Sequence, residues 1–134
     1  LFHVIGSGSK KGFDLLMERG ASTQIKDIQG NTALHKAATF SRESFAEKLI
    51  NMGVKVNSTN KVGSTPLHYA VRNGDVNITK LLLEHGAEKN ILDFQGNSVV
   101  NVVESMLNED SLSDSMGNVI SKKSILNIKK ILKQ

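Results

Sequence analysis

The sequence predicts an all-α fold built as a solenoid, a row of helix–turn–helix units joined by short β-turn fingers. One observation is a period: GNTALHKA at 30–37 returns as GSTPLHYA at 63–70, 33 residues later. Another is that the same offset carries Leu49 to Leu82 and Gly53 to Gly86. A fixed period of this size is typical of stacked units, which present a long ridged surface without a deep pocket.

Each unit is predicted to open with a tight turn, here called a finger. A glycine recurs at each turn, at Gly30, Gly63 and Gly96. Glycine has no Cβ and takes positive φ without steric cost. A short polar residue stands three positions earlier, at Asp27, Asn60 and Asp93, where it can bond nearby backbone amides.

Two helices are predicted to follow each finger. Thr32 and Thr65 are placed to cap the first helix, and Pro66 fits its first position. Leucines such as Leu49 and Leu82 on the second helix fill the space between units. Gly53 and Gly86 are placed to end that helix in the left-handed conformation common at helix C-termini.

The period, together with TPLHYA at 65–70 and LLLEHGA at 81–87, resembles the ankyrin repeat family. The resemblance implies one ankyrin-repeat domain over 1–134. Its units are a partial repeat at 1–26, full repeats at 27–59 and 60–92, and an atypical repeat at 93–134 with an insert near 107–121. Because Leu1 falls in phase with Leu34 and Leu67, the chain is expected to begin inside a first helix. It is then either a piece of a longer protein or numbered without its preceding residues.

Two histidines one period apart, His35 and His68, would attract attention as metal ligands or catalytic groups. In ankyrin proteins the histidine at this position hydrogen-bonds backbone between turns. The resemblance therefore implies a structural role for both.

The fourth unit is predicted to contain a polar, acidic insert before its last helix. Ile125, Ile128, Ile131 and Leu132 have helical spacing, which predicts a helix near 122–133. Ile131-Leu132 aligns with Leu81-Leu82 at an offset of 50, which is 17 residues longer than the period. The insert is either a tolerated surface loop or a partner-binding or phosphorylated segment, with Ser111 between Asp110 and Asp114 as the candidate.

A glycine-rich stretch at 6–12, GSGSKKG, has some likeness to a phosphate-binding loop. Gly12 is followed by Phe13 instead of Lys-Ser/Thr, so the spacing required of a P-loop is absent. Gly8 aligns with Gly74, between the two helices of a unit. The stretch is therefore predicted to be an ordinary loop.

Composition argues against several function classes. The chain has 134 residues, no Cys and no Trp, and aromatic residues make up only 4%. We therefore expect no cofactor, no metal and no enzymatic activity within these residues. The formal net charge of +4 is too small to predict nucleic-acid binding, and no apolar stretch is long enough to predict a membrane span. An intracellular protein, cytoplasmic or nuclear, is expected.

In the ankyrin family, fingers and first helices line a concave groove that binds other proteins. By phase, the resemblance implies partner-binding residues at Ile28, Gln29, Asn31, Phe40, Lys61, Val62, Ser64, Arg72, Asn73, Phe94 and Gln95. None of them is expected to have a structural duty in the repeat.

Phe40 and Phe94 stand out because their counterparts one period away are Asn73 and Lys61. Large apolar side chains at exposed positions are natural anchors for a partner. The alternative is internal packing, of Phe40 on the Ser41–Phe45 turn and of Phe94 on the fourth unit.

The predicted function is a non-enzymatic protein-interaction module, either a monomeric domain or part of a larger chain. Its partner is another protein of unknown identity. Two alternatives stay open: a regulatory ankyrin segment of a larger protein such as a transcription regulator, an enzyme or a channel, and a purely structural spacer.

Overall fold

A pair of α-helices recurs along the chain, as the sequence period predicts. The computed structural model describes residues 1–109, 113 and 117–133. The helices are α1 (Phe2–Ser7), α2 (Lys10–Glu18), α3 (Ala33–Thr39), α4 (Glu43–Asn51), α5 (Pro66–Arg72), α6 (Val76–Glu84), α7 (Val99–Leu107) and α8 (Lys122–Leu132). Over these residues there is no strand beyond an isolated bridge between Ser113 and Val119.

The helices form two layers. In the inner layer, the first helices α1, α3, α5 and α7 pack in that order, each against the next. In the outer layer, α4 packs on α6 and α6 on α8. Each inner helix also packs on the outer helix that follows it, so the chain is an all-α solenoid.

Side-chain caps start the inner helices where the sequence places Thr or Ser. Thr32, Thr65 and Ser98 each accept a hydrogen bond from the backbone N–H three residues later. The side chain of that later residue in turn accepts the backbone N–H of the capping residue, so two helix-start donors are satisfied at once. Pro66 occupies the first position of α5, where its missing N–H costs nothing.

The core consists of residues at repeating positions. Leu34 and Leu67 are buried in the inner layer, and Leu49 and Leu82 are buried in the outer layer. Full burial of each leucine stabilises the fold by roughly 1.5–3 kcal/mol. Phe13 and Phe45, on α2 and α4, stack at a centroid distance of 4.7 Å and join the first two outer helices.

The glycine-rich stretch is less of a loop than the sequence predicted. Gly6 lies in the last turn of α1, Gly12 lies in the first turn of α2, and only Gly8 and Ser9 stand between the helices. Ser9 accepts a hydrogen bond from the Gly12 N–H and caps α2. A capping serine thus lets the helix start earlier than the glycines suggest.

Residue 41 takes the left-handed conformation in spite of having a side chain. Ser41 has φ 55, whereas the equivalent Gly8 and Gly74 have φ 75 and 66. The turn geometry is therefore kept by the repeat and not by glycine alone.

The last unit contains a long connection between its helices. Residues 108–121 join α7 to α8, where 73–75 suffice between α5 and α6. The helix predicted near 122–133 is confirmed as α8. Ile120 returns over Gly74, since a Cβ built on that glycine would lie 2.4 Å from the Ile120 Cγ2. The phosphorylation candidate Ser111, with Asp110 and Asp114, lies outside the described residues.

Candidate functional site

Three fingers project from the starts of the inner helices, each closed by one polar side chain. The Asp27 carboxylate accepts hydrogen bonds from the backbone N–H groups of Gln29 (2.9 Å) and Asn31 (2.8 Å). The side-chain oxygens of Asn60 and Asp93 accept equivalent bonds in the next two fingers. This geometry makes each finger a rigid turn.

The carboxylates in these turns are held ionised. Burial by itself would raise the pKa of Asp27, but hydrogen bonds from Asn31, Lys36 and Gln29 outweigh it and lower the pKa below its ordinary value. The pKa of Asp93 is likewise lowered, because its backbone hydrogen bonds outweigh a similar burial effect. An ionised acceptor strengthens the bonds that shape the finger.

Backbone hydrogen bonds link the fingers into a row. Lys61 N–H donates to the Gln29 carbonyl at 2.9 Å, and Phe94 N–H donates to the Val62 carbonyl at 3.0 Å. The ring of Phe94 also lies over Gly63, where an added Cβ would be 2.7 Å from the Phe94 Cδ1. Phe94 therefore packs in part against the preceding finger, a contact that the sequence did not predict.

The tips of the fingers expose large apolar side chains. Ile28 is 86% exposed, Val62 56% and Phe94 78%, one on each successive finger. Gln29, Lys61 and Gln95 are also exposed at these tips. The structure thus brings together these six predicted residues, here called the finger-tip row, on one edge of the solenoid.

Three of the predicted site residues are buried, which corrects the expectation that they have no structural duty. Asn31, Ser64 and Asn73 are 8%, 0% and 9% exposed. The Asn31 side chain bonds Asp27 and accepts from Asn60 Nδ2 at 2.8 Å, which couples two fingers. Sequence phase identifies the position but does not show that a neighbouring finger covers it.

Asn73 has a further structural role at the end of an inner helix. Its Nδ2 donates to the carbonyls of Ala38 (3.0 Å) and Thr39 (2.6 Å) at the C-terminal end of α3, where the Ser41 N–H also donates to the Ala38 carbonyl. Arg42 does the same for α1 through the carbonyls of Ile5 and Gly6. The second and third units thereby each cap the inner helix of the unit before them.

Arg72 and Phe40 are half-buried and partly engaged. Arg72 forms an ion pair with Asp93 at 3.1 Å, bonds the Ser64 hydroxyl, and stands 5.5 Å from the centre of the Tyr69 ring. The Phe40 ring faces Gly6, where a Cβ would be 3.6 Å from it. Arg72 therefore contacts the unit that follows it, and Phe40 contacts the unit that precedes it.

Two further residues, Lys36 on α3 and Tyr69 on α5, contact the fingers although the sequence did not predict them as site residues. Lys36 pairs with Asp27 at 3.3 Å, and the Tyr69 hydroxyl accepts a hydrogen bond from Asn60 at 2.7 Å. The two residues lie one period apart, so they occupy the same position in successive repeats. Recognising one of them as a site residue would have identified the other.

The two buried histidines bridge neighbouring units, as the resemblance implied. His35 Nε2 lies 2.8 Å from the Ser64 carbonyl, and His68 Nε2 lies 3.0 Å from the Asn97 carbonyl. Because Nδ1 accepts the N–H of Thr32 in the first case, Nε2 must carry the proton and donate it. Burial lowers the pKa of both histidines, and the hydrogen bond to a carbonyl offsets it only in part. Both rings are therefore neutral structural donors.

The described part of the chain contains neither a cluster of metal-ligand side chains nor a candidate membrane span. Within it, no group of three or more His, Asp or Glu side chains is placed to hold a metal ion. None of its helices has the length and hydrophobicity needed to cross a bilayer.

These features define a class of protein: a helical solenoid whose rigid turns project from one edge. The sequence pattern described as ankyrin repeats, in three copies, matches residues 1–93. The chain belongs to the ankyrin repeat family. Ankyrin repeat domains are generally protein-interaction modules and are typically non-enzymatic.

Curated relatives place similar segments in much longer proteins. The chain is 42% identical over 77 residues to Rabankyrin-5 of Mus musculus, which covers 57% of this chain and 7% of that protein. It is 33% identical over 100 residues to phosphocholine transferase AnkX of Legionella pneumophila, covering 72% and 10%. It is 34% identical over 89 residues to E3 ubiquitin-protein ligase KEG of Arabidopsis thaliana, covering 66% and 6%. The chain thus spans a tenth or less of each of these relatives.

Proposed function

We propose that this domain is a non-enzymatic module that binds a protein partner through its finger-tip row. The observation that carries the proposal is the exposure of Ile28, Val62 and Phe94 on three consecutive rigid fingers. Interface energy is concentrated in a few large side chains, and apolar groups on a rigid base lose little entropy when they bind.

The chemistry of the row also narrows the partner. Lys61 is exposed between the fingers of Ile28 and Phe94, whereas Lys36 and Arg72 behind the row are paired with Asp27 and Asp93. Lys61 forms no ion pair with a described residue, and a cation flanked by apolar groups suits a partner surface or extended segment with apolar side chains around an acidic one. Asn31, Ser64 and Asn73 would support this surface from below and not contact the partner.

A binding comparison in extract from the source cells tests the proposal. The Ile28→Ser/Phe94→Ser variant removes the two most exposed anchors, and the Met52→Ser/Leu126→Ser variant removes two exposed apolar side chains on outer helices. If each anchor contributes about 2 kcal/mol, loss of one weakens capture roughly 30-fold, and loss of both, as in the first variant, weakens it roughly 900-fold. Circular dichroism confirms that both variants fold.

The proposal predicts a partner retained by wild type and by the outer-helix variant but lost from the finger variant. Equal retention by all three proteins would contradict the finger-tip site and favour a structural spacer. Loss from the outer-helix variant alone would move the binding face to the other layer.

A second candidate is a regulatory segment of a larger protein. It is favoured by the relatives, in which the matched segment is a tenth or less of a protein such as a transferase or a ligase. The full-length reading frame tests this candidate, because it either continues into another domain or does not. An intracellular location, common among ankyrin repeat proteins, is part of both proposals and is tested by cell fractionation.

A further inference from the structure

A second groove lies in the outer layer, between α6 and α8, away from the finger-tip row. Its volume is about 750 Å³. Val76, Leu83 and Ala87 contribute apolar surface from the α6 side, and Ile131 contributes it from α8. All four are half-buried, so the groove has an apolar floor that solvent still reaches.

The rim of this groove is basic. Lys80 on α6 and Lys130 on α8 line it, and neither forms an ion pair with a described residue. Lys89 also lines it, with its ammonium donating to the Leu132 carbonyl at 2.9 Å. Among the described lining residues, Glu84 is the one acid, which leaves an excess of positive charge.

This charge is a property of the last two units and not of the repeat. One period apart, the same outer-helix position holds Asp14, Glu47 and Lys80. Lys130 occupies it in α8, by the offset that aligns Ile131-Leu132 with Leu81-Leu82. The row therefore changes sign between α4 and α6, and the basic half coincides with the groove.

We propose that the α6–α8 groove docks an amphipathic helix of a protein partner whose apolar stripe is flanked by acidic side chains. An apolar floor between two helices fits the helix-in-groove mode of recognition. Lys80 and Lys130, which form no ion pair within the described part of the chain, complement acids on either side of the incoming stripe. No aromatic residue is among the described lining residues, so the groove lacks the stacking platforms that single-stranded nucleic acid uses.

The test uses the whole domain and a designed peptide. The probe is a fluorescein-labelled 18-residue helical peptide with leucine at positions i, i+3, i+4 and i+7 and glutamate on both flanks. A matched peptide carries lysine in place of glutamate. We expect the glutamate peptide to bind at least tenfold more tightly than the lysine peptide, and we expect this ratio to fall at high salt. Binding of the glutamate peptide should shift the amide resonances of α6 and α8.

Charge reversal locates the site. The Lys80→Glu/Lys130→Glu variant is expected to weaken glutamate-peptide binding at least tenfold. A control with the same charge change elsewhere, Lys10→Glu/Lys55→Glu, is expected to change it less than threefold. The finger variant Ile28→Ser/Phe94→Ser is expected to bind normally, so this proposal and the proposed function fail independently.

Several results would overturn the inference. They are no binding at 1 mM peptide, equal affinity for the two peptides, or equal effects of the two charge-reversal variants. Binding to phosphatidylserine vesicles without binding to the peptide would assign the groove to a membrane surface instead. A concentration-dependent dimer abolished by Lys80→Glu would assign it to a second copy of the chain.

Discussion

Acidification is expected to destabilise the solenoid through its two buried histidines. His35 and His68 are fully buried, and each donates from Nε2 to a carbonyl of the next finger. Their Nδ1 atoms accept the backbone N–H of Thr32 and of Thr65. Protonation of Nδ1 would place its N–H against the backbone N–H that it now accepts. The folded state therefore binds this proton less readily than the unfolded chain does.

The sign and size of this change in the free energy of unfolding follow from the difference in proton binding between the folded and unfolded states. Burial lowers the folded-state pKa of both histidines below the ordinary value of 6.5. The unfolded chain therefore binds protons first, and stability that is complete above about pH 7.5 is lost as the pH falls through 6.5 toward the folded pKa values. Between pH 7.5 and 5.5 the loss is up to about 1.4 kcal/mol for each histidine, or up to about 2.7 kcal/mol for both.

Urea unfolding followed by circular dichroism at pH 7.5, 6.5 and 5.5 measures this loss. The His68→Asn variant is expected to show about half the wild-type pH dependence, whatever its absolute stability. The exposed His85→Asn is the matched control and should retain the full dependence. The ¹⁵N shifts of the ring nitrogens give a second readout, with Nε2 protonated and Nδ1 unprotonated in both buried rings at pH 7.5.

A free energy of unfolding that varies by less than about 0.5 kcal/mol over this range would refute the reasoning. So would the same pH dependence in His68→Asn and wild type. An Nδ1-protonated tautomer would show that the hydrogen-bond directions inferred between units are wrong.

Three substitutions test how the units are joined, each by its urea midpoint at constant m-value. Asn73→Ala removes the side-chain donor to the Ala38 and Thr39 carbonyls at the end of α3 and should cost about 1–3 kcal/mol; an unchanged midpoint would exclude this cap. Ser41→Gly relieves a side chain held at φ 55 and should stabilise by about 0.5–1 kcal/mol, whereas a loss would mean that the serine makes a compensating contact. Gly74→Ala places a methyl group 2.4 Å from the Ile120 Cγ2 at φ 66 and should cost about 1–3 kcal/mol; a neutral effect would mean that the 108–121 connection does not pack there.

The fold could be predicted from the sequence because its determinants are local and repeat. Caps such as Thr32 and Thr65 act within four residues, and the buried leucines recur in phase, so each unit confirms the next. Even the exception at Ser41 was visible, as a missing glycine. What the period does not show is the glycine-rich start, where Ser9 caps α2 and helix replaces the predicted loop.

The candidate site was predicted in position but not in burial. Ile28 and Phe94 are exposed because they lie at the tips of their fingers. Their positions in the repeat are enough to predict this. The burial of Asn31 depends on Asn60 from the next finger, and Asn73 caps α3 at a position where the preceding unit has Phe40. Such contacts join residues that are not equivalent by period, so the repeat carries no signal for them.

The α6–α8 groove could not be predicted from the sequence. Lys130 lines a groove with Lys80 only because α8 packs beside α6 after the connection at 108–121. Where that connection returns the chain is a tertiary property that no local pattern contains.

Site-specific photo-cross-linking tests the central claim most directly. A benzophenone side chain is placed at Phe94, on a finger tip, or at Leu126, on the outer face of α8, and the domain is irradiated in extract from its source cells. The account predicts one protein adduct from position 94 that is absent from position 126 and is competed away by unlabelled wild type but not by Ile28→Ser/Phe94→Ser. Adducts from position 126 alone, or the same adducts from both positions, would contradict a binding face on the fingers.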